Sequence, residues 1–380
     1  AILIVAVVAV TYTMLGGIAA VIWTDVIQSA ILLVGALVTV FLLIGELPSG
    51  FLGTLQELKA QGRTDPFEYT LDPSKVATIW TGIVAMSIYH VVVYGVNQMM
   101  VQRTLAAKTL GDAKKSYMLM GYLAFLIFVL FFGMGVLFYS YYGGRAFENE
   151  NLVVLDFVAK IGFPGLMGVV TAAIVAAAMS SLDSSLNSMA TVTTLDFYEK
   201  FFKKNGSPEH YLKASRWFTF MWAVLMVVPA IIFSKSGGSV LEVLSKVGSF
   251  FVGAKLAMFG LGFYSKHTTE RGLLVGVAAG FLTLWYVEAN LDIAWPWYCA
   301  LGGIVCIVVA WVSSVLLDGF QKEYSPYTVQ GQKEIFRLEG LEEKQDGWYV
   351  VPGKVDKASY GLLVYFAVCV AGLWYVHGLI

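Results

Sequence analysis

AAIVAAAMSSLDSSLNSMATVTTLDFY, Ala172–Tyr198, is the stretch on which the reading of this chain turns. It opens as a helix of small apolar residues. It then places Ser180, Ser181, Asp183, Ser184 and Ser185 within about one and a half turns, followed by Asn187 and Ser188. An ionisable group inside a membrane helix is costly, so it faces a cavity, a partner or an ion. A polar seam gluing two helices accounts for Ala173, Ala176, Ala177 and part of the serine content. It leaves the aspartate unexplained, whereas coordination of a cation explains both.

The rest of the composition sets this stretch in a membrane. The chain is 58% hydrophobic and 14% aromatic with only 13% charged residues, and its mean hydropathy is +0.72. A soluble domain cannot hide that much apolar surface, so the class is an all-α polytopic membrane protein. A spanning helix needs about 20 apolar residues. Ten stretches qualify: 1–14, 20–45, 76–101, 116–142, 163–194, 214–234, 240–264, 270–289, 294–317 and 358–379. The division is a transmembrane core over 1–317, a polar loop over 318–357 and a last helix over 358–380. Residue 1 already lies in an apolar run with no initiating Met or basic leader, which reads as an N-terminally shortened chain. The net charge of −1 gives no footprint for nucleic acid. Cys299, Cys306 and Cys369 all sit in apolar segments and read as packing residues.

Loop charges orient the chain. Basic residues gather at 103–115 (Arg103, Lys108, Lys114, Lys115), at 200–216 (Lys200, Lys203, Lys204, Lys213, Arg216) and at 266–271 (Lys266, Arg271). The positive-inside rule puts these loops, and by alternation 318–357, in the cytoplasm. The charged run of 318–357 (Glu339, Glu342, Glu343, Lys344, Asp346) reads as a solvated loop. The location expected is a cell membrane, a bacterial inner membrane, crossed many times.

Two polar constellations lie at membrane depth. Asp25 falls roughly 10 Å and Asp183 roughly 15 Å from the cytoplasmic face, so two carboxylates and several hydroxyls share one depth. Sodium, a hard cation, prefers such an inventory of carboxylate, hydroxyl and carbonyl oxygens. The third stretch carries Ser87, His90, Tyr94, Asn97 and Gln98 at spacings of three and four, a polar face suited to lining a solute path. Gly95 lies within it, where an unwound turn exposes backbone groups.

Three motifs now come together. WTDVIQ (Trp23–Gln28), YGVNQMMVQRTLAAK (Tyr94–Lys108) and MSSLDSSLNSMATV (Met179–Val192) resemble the sodium–solute symporter family of sodium–glucose, monocarboxylate, iodide, multivitamin, sialic acid and proline carriers. The resemblance runs from residue 1 to about residue 318, and the last span continues it. It implies a LeuT-type inverted-repeat core with further helices before residue 1, and sodium-coupled symport of a small organic solute by alternating access. Carried over by position, one sodium ion is held by the Ala177 carbonyl with the Ser180 and Ser181 hydroxyls. A second sodium ion, present in some members, takes Ser180, Asp183, Ser184 and Asp25. The family commonly has Ser or Thr where this chain has Asp183. Glucose-type members have a lysine where this chain has Ala124, and an aromatic pair where it has Val92 and Val93. Those differences favour a small organic anion, such as a monocarboxylate or sialic acid, over a hexose. The expected partners are sodium, the solute and the lipid bilayer, with the protein acting as a monomer rather than as an enzyme. Sugar transport and a transporter-like sensory input module remain as alternatives.

Overall fold

A helix of 44 residues would be about 66 Å long if straight, twice the hydrocarbon thickness of a bilayer. The first helix, α1 (Ile2–Gly45), has that length and breaks at Gly17, whose φ of 56° and ψ of −147° suit glycine alone. The computed structural model describes residues 2–63, 67–233 and 240–379. The sequence-read segments that reach residues 1, 234 and 380 therefore end outside the described residues. After α1 come α2 (Gly50–Ala60), α3 (Ser87–Gly95), α4 (Gln98–Leu105), α5 (Leu110–Tyr141), α6 (Val153–Ile161) and α7 (Leu166–Val192). Then follow α8 (Pro208–Phe233), α9 (Val240–Tyr264), α10 (Glu270–Asn290), α11 (Tyr298–Asp318), α12 (Val329–Leu338) and α13 (Tyr360–Leu379).

Among the described residues eight helices are long and apolar enough to cross a membrane, or nine when the bent pair around Gly95 is taken as one span. The sequence reading of ten spans differs because it treats the two arms of α1, 1–14 and 20–45, as separate spans. Gly17 is where they divide. The bend near Gly95 is also a fact of the structure: Thr81–Gly95 and Gln98–Leu105 meet at 47°.

Two compact units divide the fold. One takes the chain to Gln61 and from Ala124 through α8; the other takes the chain between, to Leu123, and everything from α9 onward. In the first, Leu43, Leu137, Phe157, Leu166 and Val170 form a core around the fully buried Phe157. Farther along, Leu186 of α7 packs with Val10 of α1 and Ala223 of α8. The alanines of α7 do what the sequence suggests. A Cβ added at Gly35 would stand 2.5 Å from the Ala173 Cβ, so α1 and α7 touch at backbone distance.

In the second unit, Gly272, Gly276 and Gly280 of α10 face Ser314, Ala310 and Cys306 of α11 in four-residue steps. A Cβ at Gly276 would lie 2.5 Å from both the Cys306 carbonyl oxygen and the Ala310 Cβ. All three cysteines are free and buried, as packing residues should be.

Segment 318–357 is more organised than a solvated loop. Beside α12 it holds a hairpin of β1 (Lys344–Gln345) and β2 (Trp348–Tyr349), paired Lys344 with Tyr349 and Gln345 with Trp348. Asp346 and Gly347 at the tip have φ of 50° and 83°, the signature of a two-residue hairpin turn favoured by Asp-Gly. The hairpin docks on α5. Lys114 Nζ donates to Asp356 Oδ2 at 2.5 Å and to the Tyr349 carbonyl at 2.6 Å, and the Tyr349 amide donates to Asp356 Oδ1 at 2.9 Å. The Lys114 ammonium, then the Tyr349 amide, hold the Asp356 carboxyl below the usual carboxylate range.

Candidate functional site

The polar residues of α7 fall into two classes by what their side chains bond. Most hydroxyls return to a carbonyl one turn earlier. Ser185 donates to Ser181 at 2.8 Å, Ser188 to Ser184 at 2.8 Å, Thr191 to Asn187 at 2.8 Å and Thr194 to Ala190 at 2.7 Å. Such back-bonding satisfies a hydroxyl within its own helix and loosens the backbone ladder there. The ladder does change: at Thr193 the helix passes into a π-helical segment, Thr193–Phe202.

The remaining groups reach across to α1. Ser180 donates its hydroxyl to Asp25 Oδ1. Asp183, wholly buried, accepts from Tyr12 at 2.5 Å and Thr24 at 3.3 Å on one oxygen, and from Ser184 at 3.1 Å on the other. Gln28 Nε2 donates to the Tyr12 hydroxyl at 3.4 Å, while its amide oxygen is buried with no hydrogen-bond partner among the described residues. Ser181 points elsewhere, as a neighbour about 100° around the helix must. Its exposed hydroxyl lies 3.3 Å from the Ala177 carbonyl.

The structure thus brings the expected oxygens together as three sets: Ala177 with Ser181, Ser180 with Asp25, and Asp183 with Ser184. Tyr12, Thr24 and Gln28 were not among the residues singled out from sequence. Thr24 and Gln28 stand inside WTDVIQ beside Asp25, which was signal enough. Tyr12, five residues before Gly17, offers only the signal of a hydroxyl in an apolar run.

The polar face of the third stretch is divided by the break. Ser87, His90 and Tyr94 belong to α3, with Ser87 exposed and the His90 ring stacked on Tyr94 at 5.4 Å. His90 Nδ1 is buried and without a hydrogen-bond partner among the described residues. Asn97 and Gln98 lie past the bend, where the Asn97 side chain caps α4 by accepting from the Met99 amide at 3.2 Å. Tyr94 and Gly95 line a cavity of about 500 Å³ with Val91, Val101, Thr104, Leu105 and Tyr117. The Tyr94 carbonyl at the break accepts from Tyr117 at 3.0 Å.

With this geometry in view, comparison with known proteins places the chain. The model of the Sodium:solute symporter family matches residues 1–280, and the chain belongs to that family. Among its relatives, the sodium/sialic acid symporter NanT of Aliivibrio fischeri is 27% identical over 314 residues, covering 80% of this chain and 61% of that protein. The sodium-dependent multivitamin transporter of Oryctolagus cuniculus is 30% identical over 289 residues, covering 73% of this chain and 44% of that protein. The chain therefore spans 61% and 44% of these two relatives' lengths. A solved Na+-coupled sialic acid symporter, in a substrate-bound outward-open state, superposes with a TM-score of 0.74 over 84% of this chain and 67% of its own, at 23% identity. The shared fold is the LeuT-type architecture, and the protein is a multi-pass membrane protein of a transporter family.

Proposed function

We propose that this protein moves a small organic solute across a cell membrane together with sodium, by alternating access. The observation that carries the reading is the pairing of Ser180 on α7 with Asp25 on α1, next to the Ala177 carbonyl and Ser181 hydroxyl. These are hard oxygen groups on neighbouring turns of α7 and on α1, the donor chemistry a sodium ion needs. One sodium is assigned to Ala177, Ser180 and Ser181. A second is assigned to the set Ser180, Asp25, Ser184 and Asp183, with Ser180 and Asp25 at its centre because their oxygens already meet. The solute path is assigned to Ser87, His90, Tyr94, Asn97 and Gln98, where the broken span exposes backbone beside ring and amide groups.

Among solutes, a small organic anion fits best. Val92 and Val93 stand where glucose-type members present an aromatic pair, and Val92 is packed away against Val252 and Cys299. No ring is offered there for a hexose to stack on. The relatives named above include carriers of sialic acid and of a vitamin, and sialic acid and monocarboxylates share one carboxylate on a small polar body. The unit of transport is a monomer in the bilayer.

The test is uptake into liposomes holding the purified protein, with radiolabelled sialic acid, a short monocarboxylate and glucose, under an inward sodium gradient. Uptake of one of the anions that collapses when potassium replaces sodium is the expected result. Uptake of glucose alone, or of any solute at equal rate without sodium, would overturn the reading.

A further inference from the structure

Asp183 is a carboxylate buried among serines and alanines, and its surroundings show what it does. Tyr12 lies on the arm of α1 before Gly17 and Thr24 on the arm after it, yet both hydroxyls meet the same oxygen, Asp183 Oδ2, at 2.5 and 3.3 Å. In an unbroken helix those two residues would be about 18 Å apart along the axis. A single oxygen that bridges them therefore ties the two arms across the break. Gln28 adds a direct link between the arms, donating to the Tyr12 hydroxyl at 3.4 Å. The second Asp183 oxygen takes the Ser184 hydroxyl at 3.1 Å, so three hydroxyls donate to a carboxylate that is 0% exposed, and both of its oxygens have partners. A buried carboxylate satisfied by its own protein's donors is stable in place without a cation.

Sequence neighbours make this tie consequential. Asp25 follows Thr24, and Ser180 lies one turn of α7 before Asp183. The Asp183–Thr24 and Ser180–Asp25 bonds are thus adjacent rungs between the same two helices.

We infer that Asp183 is a positioning residue, a clasp that closes the two arms of α1 against α7 through Tyr12 and Thr24 and so holds Asp25 at Ser180. The inference rests on the reading of Asp25 and Ser180 as a sodium site, and it narrows the second sodium set proposed above: Asp183 acts on the ion through Asp25 and Ser180 and not as a ligand.

Two readouts test it on the protein in liposomes. The first is the spin-label distance across the break, with labels at Val8→Cys and Ile31→Cys, which are exposed positions on the two arms. The native cysteines are buried. The second is the sodium concentration for half-maximal uptake. Tyr12→Phe removes one hydroxyl and keeps the ring, so it carries the test even where Asp183→Asn fails to fold. Both variants should broaden the distance distribution equally with and without sodium. Both should raise the half-maximal sodium by roughly tenfold or more, the worth of one hydrogen bond to a charged group. The double variant should be no worse than Asp183→Asn alone, because both act through one tie. The clasp is overturned if Tyr12→Phe matches the parent in both readouts while Asp183→Asn weakens sodium activation; the aspartate then acts on the ion directly. If even the parent shows no sodium dependence, the sodium reading fails, and the distance alone decides the clasp: broadening in Tyr12→Phe supports it and an unchanged distance overturns it.

Discussion

Replacing Ser180 by Ala removes the one hydroxyl that both faces Asp25 and belongs to each assigned sodium set. That hydroxyl donates to the Asp25 carboxylate, and its own lone pairs are the ones assigned to the cation. A hydrogen bond to a charged group contributes about 1.5–3 kcal/mol. Losing an interaction of that size from the bound state raises the half-maximal sodium roughly 10- to 150-fold at 1.4 kcal/mol per decade. Helix propensity works slightly the other way, since Ala is a few tenths of a kcal/mol better than Ser in a helix. Ser188→Ala is the internal control. That hydroxyl is buried, lies two turns along the same helix, and donates to the Ser184 carbonyl of its own helix. Its removal should shift sodium activation by less than about twofold, because a lost local back-bond is nearly neutral. Initial uptake rates against sodium, at constant ionic strength and fixed solute, measure both variants. The reasoning is refuted if Ser180→Ala behaves like the parent at limiting sodium, or if Ser188→Ala is as damaging.

Asp25→Asn should weaken sodium activation and lower the Hill coefficient for sodium in the same assay; parental transport at limiting sodium would make Asp25 structural. Tyr94→Phe should raise the solute KM more than the half-maximal sodium, while Asn97→Ala should do so and also lower the melting temperature, because its side chain caps α4 and such a cap contributes about 1 kcal/mol. Gly276→Val should destabilise by about 1–3 kcal/mol or more, since the new atoms meet the Cys306 carbonyl, which cannot yield, and calorimetry would show it. The hairpin's docking on α5 should be lost in acid: Asp356 has its pKa depressed by Lys114, so its contribution is present above the ordinary carboxylate pKa of about 4 and disappears as pH falls through the lower folded value. Faster amide exchange at Tyr349 in acid, and in Asp356→Asn at neutral pH, is the measurement.

What the sequence made legible depended on signals that stay within one segment. Each apolar stretch met a helix because hydrophobic length is a property of the segment alone. Gly95 announced the bend in the third span for the same reason: glycine between α3 and α4 loosens the backbone wherever it sits. The hairpin at 344–349 is equally local, since Asp346-Gly347 is a turn signal set within a charged run. Partnerships were harder to see. The stripe from Ser87 to Gln98 looks continuous on a helical wheel, but a wheel assumes a straight helix, and the 47° bend sends Asn97 to cap α4 instead. Tyr12 was invisible because a lone tyrosine in an apolar arm gives no sign of which carboxylate it will meet 171 residues later.

Asp183 shows how the two kinds of information combine. From sequence, a carboxylate in a serine-rich helix at membrane depth admits two readings, ion ligand or anchored acceptor, and the family motif favours the first. Geometry adds the count of donors. A carboxylate waiting for a cation should have oxygens turned to open coordination space, whereas Asp183 is wholly buried and already receives Tyr12, Thr24 and Ser184. Asp25 differs in that it accepts from a serine that itself belongs to the proposed ion sites. On the proposed assignment two aspartates on neighbouring rungs have separable work: Asp25 meets the ion, and Asp183 ties the two arms of the broken helix that carries Asp25. A sequence with Ser at position 183 would have one short hydroxyl in place of a two-oxygen acceptor, too few lone pairs to gather the same three donors. In this chain Asp183→Ser should therefore loosen α1 at Gly17 even where the sodium oxygens are all retained, and the spin-label distance would report it.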